Sequence, residues 1–291
     1  MAADSQEWHI DSGCIGCDVA RQLAPGTTAD RSGKTVISRQ PRDAEEEREL
    51  WRAALACPVG AVRPPRRSQA PADVLPMRIQ DEVYLCGFTS RETYGAQAYF
   101  VRRPEGNLLV DAPRWSRRAA AAYERLGGIA HILLTHRDHT APAQRYARHF
   151  GARVWIHQDD ADAARFATDV LRGPAPVTVQ RGVVARPAPG HTAGSTLYLV
   201  DERFCFTGDT LYWSRSAGDV EVFESVVWYS RPELIATVRR LAAEARFEWI
   251  LPGHGDRRQL PAGEMSRRLA ALADRMDSRA GRALDIGAVK W

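Results

Sequence analysis

The chain has 291 residues, 44% hydrophobic and 26% charged, the ordinary makeup of a folded globular protein with material for roughly two domains. Its 40 basic residues stand against 36 acidic ones and are scattered, so the electrostatic footprint of a nucleic-acid binder is missing. No apolar run follows Met1 and none approaches the roughly 18 residues of a membrane helix, which sets the expectation of a cytoplasmic protein without a membrane or nucleic-acid partner.

The amino-terminal segment carries Cys14-Ile15-Gly16-Cys17 and, further on, Cys57-Pro58-Val59-Gly60. This resembles a single-cluster bacterial-type ferredoxin, whose pattern is C-x2-C-x2-C followed by a distant C-P. Here the third position is Ala20, leaving three thiolates where four normally hold the cluster. An iron–sulfur cluster on Cys14, Cys17 and Cys57 is therefore disfavoured, and the expectation is an empty, structural ferredoxin-like module. A three-iron or solvent-ligated cluster, or a zinc on the three thiols, stays open beside it. The other two cysteines, Cys86 and Cys205, sit in apolar strand-like runs and read as buried small hydrophobes. Ala44 to Ala56 is predicted helical, with glutamates on one side and Leu50, Trp51, Ala54 and Leu55 on the other. The proline- and arginine-rich run from Arg63 to Pro71 reads as a linker, dividing the chain into residues 1–62, a linker 63–76 and a body 77–291.

The body opens with strand-like runs at Glu82 to Phe88, Ala96 to Arg102 and Leu108 to Asp111, then a helix from Ser116 to Leu126. Ile132-Leu133-Leu134-Thr135 reads as a strand ending in His136-Arg137-Asp138-His139, just before a helical pattern from Ala141 to Phe150. The short strand Arg153 to Ile156 follows. The second half repeats the theme, with strands at Val183 to Ala188, Ser195 to Val200 and Arg203 to Thr207, a helix from Pro232 to Ala245, a strand at Trp249 to Leu251 and a helix from Ala262 to Met276. Two β-rich halves flanked by helices imply an α/β (α+β) fold of the αββα sandwich type.

Three glycine turns each carry one metal-competent side chain behind an apolar run: Pro189-Gly190-His191-Thr192, Thr207-Gly208-Asp209-Thr210 and Pro252-Gly253-His254-Gly255. With His136 to His139 they would gather imidazoles and carboxylates at the carboxyl edge of a sheet. Zinc takes such ligands at about 2.0–2.2 Å and lowers the pKa of a bound water to roughly 7. Two metals bridged by one carboxylate would clamp attacking and leaving oxygens together, and Asp209 is the candidate bridge.

These segments resemble the metallo-β-lactamase superfamily, with the glyoxalase II type closest in wording at Pro189 to Ser195 and Phe206 to Leu211. The resemblance spans roughly Val83 to Met276 and includes Leu108 to Asp111, where the family places the aspartate that braces the metal loop. It implies His136, Asp138, His139, His191, Asp209 and His254 as metal ligands, Asp138 and Asp209 in the catalytic centre, and Asp111 behind them. The family pattern T-H-x-H-x-D-H is two residues longer than Thr135-His136-Arg137-Asp138-His139. A gapped alignment keeps Asp138 as the family's aspartate and His139 as its last histidine; a gapless one puts Asp138 at the second histidine. The gapped form is preferred, because Asp-His directly before a helix is where the family begins one. It gives one metal His136, His191 and Asp209, and the other Asp138, His139, Asp209 and His254.

The ferredoxin-like segment joined to this body resembles a bacterial and plant group described as ferredoxin-fold-containing hydrolases. The resemblance implies a metal-dependent hydrolase of a small thioester, lactone or related ester, with a metal-bound hydroxide as nucleophile, one or two zinc ions before iron, and a small-molecule substrate; a homo-oligomer is open. Two histidines and a carboxylate also suit non-haem iron, so a mononuclear oxidoreductase similar to persulfide dioxygenases is the alternative, and a metal-free binding or structural relative is a third. His157 is expected to be a surface or packing histidine rather than a residue of the cleft, and His9, His131 and His149 to face solvent, whereas Tyr212, Trp213, Trp228 and Tyr229 either wall the cleft or pack in the core.

Overall fold

The computed structural model describes residues 6–279; the outer ends of the two expected domain ranges, 1–5 and 280–291, lie outside the described residues. Two mixed sheets face each other. The first runs, in spatial order, Asp169–Leu171, Arg153–His157, His131–Leu133, Leu108–Val110, Gln97–Val101, Val83–Phe88 and Met77–Gln80. Its first four strands are parallel and the rest antiparallel. The second runs Val177–Gln180, Val183–Pro187, Thr196–Val200, Phe204–Gly208, Trp249–Pro252 and Arg258–Gln259, with one parallel pair, Phe204–Gly208 against Trp249–Pro252.

The strands are apolar on both faces because both faces are covered, and alternate side chains go to opposite layers. Leu108, Val110 and Leu133 meet Tyr198, Val200, Phe204, Phe206 and Leu251 in the cluster between the sheets. Leu109, Ile132 and Leu134 point the other way, onto Tyr123 of helix Arg117–Arg125 and Tyr146 of helix Ala143–Phe150. On the far side Leu197, Leu199, Cys205 and Ile250 pack against Leu234, Val238, Leu269 and Leu272 of helices Arg231–Glu244 and Ala262–Asp277. The αββα sandwich is thus observed. Truncating a fully buried side chain of the middle layer, such as Phe206, would cost about 3–5 kcal/mol.

Hydroxyl groups inside that layer also tie the sheets together near one edge. Tyr198 of the second sheet donates to the Leu134 carbonyl of the first at 3.0 Å, and Tyr99 of the first donates to the Pro252 carbonyl at 2.6 Å. Helix starts follow local chemistry: Asp43, Ser116 and Ser230 each accept from backbone N–H groups of the first turn.

Helix Ala44–Ala56 forms over the residues expected. Around it lie the short helix Val19–Leu23, the ribbon Thr28–Arg31 with Lys34–Ile37, and strand His9–Ile10 paired with Val62–Arg63. Trp8, Leu50 and Trp51 belong to the same apolar cluster as Val83 and Leu85, so the amino-terminal segment packs directly on the first sheet. Residues 63–76 carry little regular structure but are anchored, with Val74 buried and Asp73 paired to Arg48 at 2.9 Å. Among the described residues no helix is long and apolar enough to cross a membrane.

Candidate metal centre

Each candidate ligand leaves the sandwich at the same edge. His136 follows strand His131–Leu133, Asp209 follows Phe204–Gly208, His254 follows Trp249–Pro252, and His191 sits in the turn after Val183–Pro187. Two glycines make the approach possible. Gly208 has φ +50, and a Cβ there would stand 2.6 Å from Thr135 Oγ1; a Cβ on Gly253 would stand 2.6 Å from Asp209 Oδ1 and 2.9 Å from the His139 ring.

Four imidazole Nε2 atoms converge on one carboxylate oxygen. Asp209 Oδ2 lies 3.7 Å from His136, 3.7 Å from His139, 3.9 Å from His191 and 3.8 Å from His254. These separations are too long for hydrogen bonds. Ligands held at about 2.1 Å around one tetrahedral zinc stand roughly 3.4 Å apart, so the spacing is that of atoms prepared to share a cation. His136 Nε2, His191 Nε2 and Asp209 Oδ1 are buried without a hydrogen-bond partner, which supports the same reading.

The opposite ring nitrogens explain why the Nε2 lone pairs face inward. His139 Nδ1 donates to Asp111 Oδ2 at 2.9 Å, and His191 Nδ1 donates to the Val226 carbonyl at 2.7 Å. Thr135 Oγ1 donates to Asp111 and accepts from His136 Nδ1 at 3.0 Å. His254 is held by a backbone hydrogen bond at Thr93. Asp111, buried and at φ +52, thus orients His139 directly and His136 through Thr135.

Electrostatics follow burial and neighbours. Burial, reinforced by the charge of His139, pushes His136 well below its ordinary pKa, leaving it a neutral donor. Burial also presses His139 down, but the carboxylates of Asp209 and Asp111 together outweigh it and raise the group to about 9. A metal ion would displace that proton. Burial raises Asp209, yet His139, His254, His136 and His191 hold its carboxyl far below the usual range. His254 is lowered by burial against the pull of Asp209.

Asp138 falls on a different side from the one preferred in the gapped alignment. Its Oδ2 is 3.4 Å from His191 Nε2 and 3.7 Å from His136 Nε2, so it groups with those two histidines, while His136 also groups with His139 and Asp209, and the His254 ring lies 6.2 Å from that of His139. The cause is local. Arg137–His139 forms a 3₁₀ turn, in which consecutive side chains diverge by about 120°, so Asp138 and His139 leave it in different directions.

Several contributors were missed from sequence. Thr135 stood in the motif without a role, and the Val226 carbonyl and Thr93 backbone leave no side-chain signal at all. Asp160, buried, accepts from Arg137 N at 3.0 Å and Thr192 Oγ1 at 2.6 Å, tying the 3₁₀ turn to the His191 loop. The remaining four histidines are elsewhere engaged: His157 with the Gly173 carbonyl, His149 with Glu124, His131 with Trp155 Nε1 and His9 with the Glu7 carbonyl. Tyr212 and Trp213 are buried, whereas Trp228 and Tyr229 are 47% and 56% exposed beside the ligands' cleft.

Cys14, Cys17 and Cys57 border one apolar cavity of about 10 Å³, on the scale of a single water. Ala20 lines the same cavity, and burial pushes the Cys17 thiol up to about 12, with Cys57 and Cys14 adding to it. The lining offers three thiols where a cubane cluster takes four, with the Asp18 carboxylate as the other metal-competent side chain.

Residues 82–273 match the family described as the metallo-beta-lactamase superfamily, and residues 10–63 match the 4Fe-4S single cluster domain of Ferredoxin I. The chain is 34% identical over 163 residues to a hydroxyacylglutathione hydrolase of Acidiphilium cryptum (strain JF-5), covering 54% of this chain and 63% of that protein. It is 45% identical over 83 residues to a hydroxyacylglutathione hydrolase of Anaeromyxobacter dehalogenans (strain 2CP-C), covering 27% of this chain and 31% of that one. The chain therefore spans less than two thirds of the length of these relatives. The crystal structure of DIM-1 metallo-beta-lactamase superimposes with a TM-score of 0.52 at 15% identity, covering 68% of this chain and 95% of that one, a likeness of fold. The matched family range takes in the second sheet, all of the first but its Met77–Gln80 edge strand, and every ligand candidate from His136 to His254: the chain belongs to the metallo-β-lactamase superfamily.

Proposed function

We propose that this chain is a metal-dependent hydrolase of a small thioester, lactone or related ester. The convergence of four Nε2 atoms on Asp209 Oδ2 carries the reading. His136, His191 and Asp138 would hold one ion, His139 and His254 another, with Asp209 between them. Zinc held by these residues would supply a Lewis acid for a substrate carbonyl and would lower the pKa of a water to about 7. The chain's own residues do the rest: Asp111 and Thr135 fix two imidazoles, the Val226 carbonyl fixes a third, and Asp138, 45% exposed, faces the cleft where water and substrate meet. For a thioester, water and substrate give a carboxylic acid and a thiol.

The hydroxyacylglutathione hydrolases matched above support a thioester as the first substrate class to try. Zinc is the first ion to expect and the cytoplasm the expected location. The test is elemental analysis of protein purified without added metal, followed by assay against thioesters, lactones and esters. Zinc with thioester or lactone turnover, lost in Asp209→Ala, supports the reading. One iron per chain with oxygen uptake on a persulfide overturns it in favour of an oxidoreductase, and protein that binds no metal overturns it in favour of a binding relative.

A further inference from the structure

Asp138, His139, His191, Asp209 and His254 line a cleft of about 950 Å³, at the upper end of the roughly 300–1,000 Å³ of ligand sites. Its walls come from opposite ends of the sequence. Ile15 and Gly16 of the amino-terminal segment form one side; Phe223, Val226 and Trp228 of the body form another; Tyr94 joins them. The Tyr94 hydroxyl donates to the Ile15 carbonyl at 2.9 Å. Tyr94 also has φ +58, a conformation that a bulky residue keeps only where its surroundings hold it. Those surroundings link the two parts of the chain: the neighbouring Thr93 backbone bonds His254, and Gly95 lies against Pro58 and Val19.

The chemistry of the cleft is uneven. Arg21 is the one Lys or Arg side chain among the described residues lining it, and it is committed to Asp18 at 2.5 Å and to Asp30. No spare basic charge is offered there to an anionic group, while isoleucine, valine, phenylalanine, tyrosine and tryptophan surfaces are. On the other side of Asp138 and Trp228 lies a second groove of about 420 Å³, bordered by Arg137, Asp159 and Thr192, which suits a polar leaving group.

We propose that the amino-terminal segment is the substrate-selecting wall of the metal centre, and that the larger cleft takes the alkyl or aryl acyl chain of the substrate. The acyl chain lies along Ile15, Tyr94, Phe223, Val226 and Trp228 with its carbonyl at Asp209. This rests on the hydrolase reading for the identity of the reacting group, but the wall can be tested by binding alone.

The ligands are acetate, butyrate, hexanoate and octanoate, the carboxylates that acyl hydrolysis would release, titrated calorimetrically into zinc-loaded protein. Affinity should rise by about threefold to fourfold per methylene. Ile15→Ala should cut the octanoate-to-acetate affinity ratio at least fivefold, and Tyr94→Phe, which keeps the ring but frees the Ile15 carbonyl, should cut it about twofold to threefold, both at unchanged zinc content. Should Ile15→Ala fail to fold, Tyr94→Phe and the wild-type series still decide. Affinity independent of chain length, or ratios unmoved in folded variants, overturns the proposal. The matching acyl thioesters separate the two readings: chain-length-dependent binding without turnover sinks the hydrolase and leaves the wall, whereas turnover with flat binding and flat kcat/KM sinks the wall and leaves the hydrolase.

Discussion

Asp111→Asn isolates what the carboxylate behind the candidate metal centre does. Asparagine is among the residues best tolerated at positive φ, so the backbone at φ +52 has no reason to move. What changes is the acceptor count. Asp111 receives the Thr135 amide at 2.9 Å, the Thr135 hydroxyl at 2.9 Å and His139 Nδ1 at 2.9 Å. An asparagine oxygen turned toward Thr135 puts its NH₂ against His139 Nδ1. The imidazole must then carry its proton on Nε2, the atom that faces Asp209. Turned the other way, the NH₂ meets the Thr135 amide, donor against donor in a buried site. Either arrangement costs about 1–3 kcal/mol, and at 1.4 kcal/mol per factor of ten this matches the 10- to 100-fold loss in metal affinity typical when such a partner is removed. Zinc competition against a chromophoric chelator reads the affinity, and circular dichroism checks that the fold is kept. A folded variant whose zinc affinity stays within twofold of wild type would refute the orienting role.

Three further outcomes are expected. Asp138→Ala and His254→Ala should each remove one zinc equivalent and Asp209→Ala both, by elemental analysis; loss of both ions from Asp138→Ala alone would refute the grouping of Asp138 with His136 and His191. Gly208→Ala should keep its far-UV circular dichroism but load little metal, because the added methyl displaces Thr135 and with it His136; full loading would show the turn to be more pliable than its φ of +50 implies. Tyr198→Phe strips the Leu134 carbonyl of a buried donor between the sheets and should lower stability by about 1–2 kcal/mol, roughly 2–6 °C in thermal melting; an unchanged melting temperature would mean that the cross-sheet bond contributes nothing net.

What the sequence determined by itself was chemistry and layering. Apolar runs such as Leu108 to Val110 and Phe204 to Phe206 could only be strands covered on both faces, and histidine or aspartate beside glycine after such runs could only sit in tight turns at a strand end. Those features are local, so one unaligned chain displays them. The tertiary structure decided the rest. Asp138 and His139 are adjacent in sequence, yet the 3₁₀ turn brings one to His191 and His136 and the other to Asp111 and Asp209, which spacing alone left open between two alignments. Trp213 went to the core and Trp228 to the cleft because neighbouring helices cover one and not the other. The amino-terminal segment, separated by composition as a module, came to line the same cleft as the candidate metal ligands, with Tyr94 bonded to the Ile15 carbonyl. Contacts between residues so far apart in the chain depend on how whole elements pack, and no local pattern of residue types encodes that.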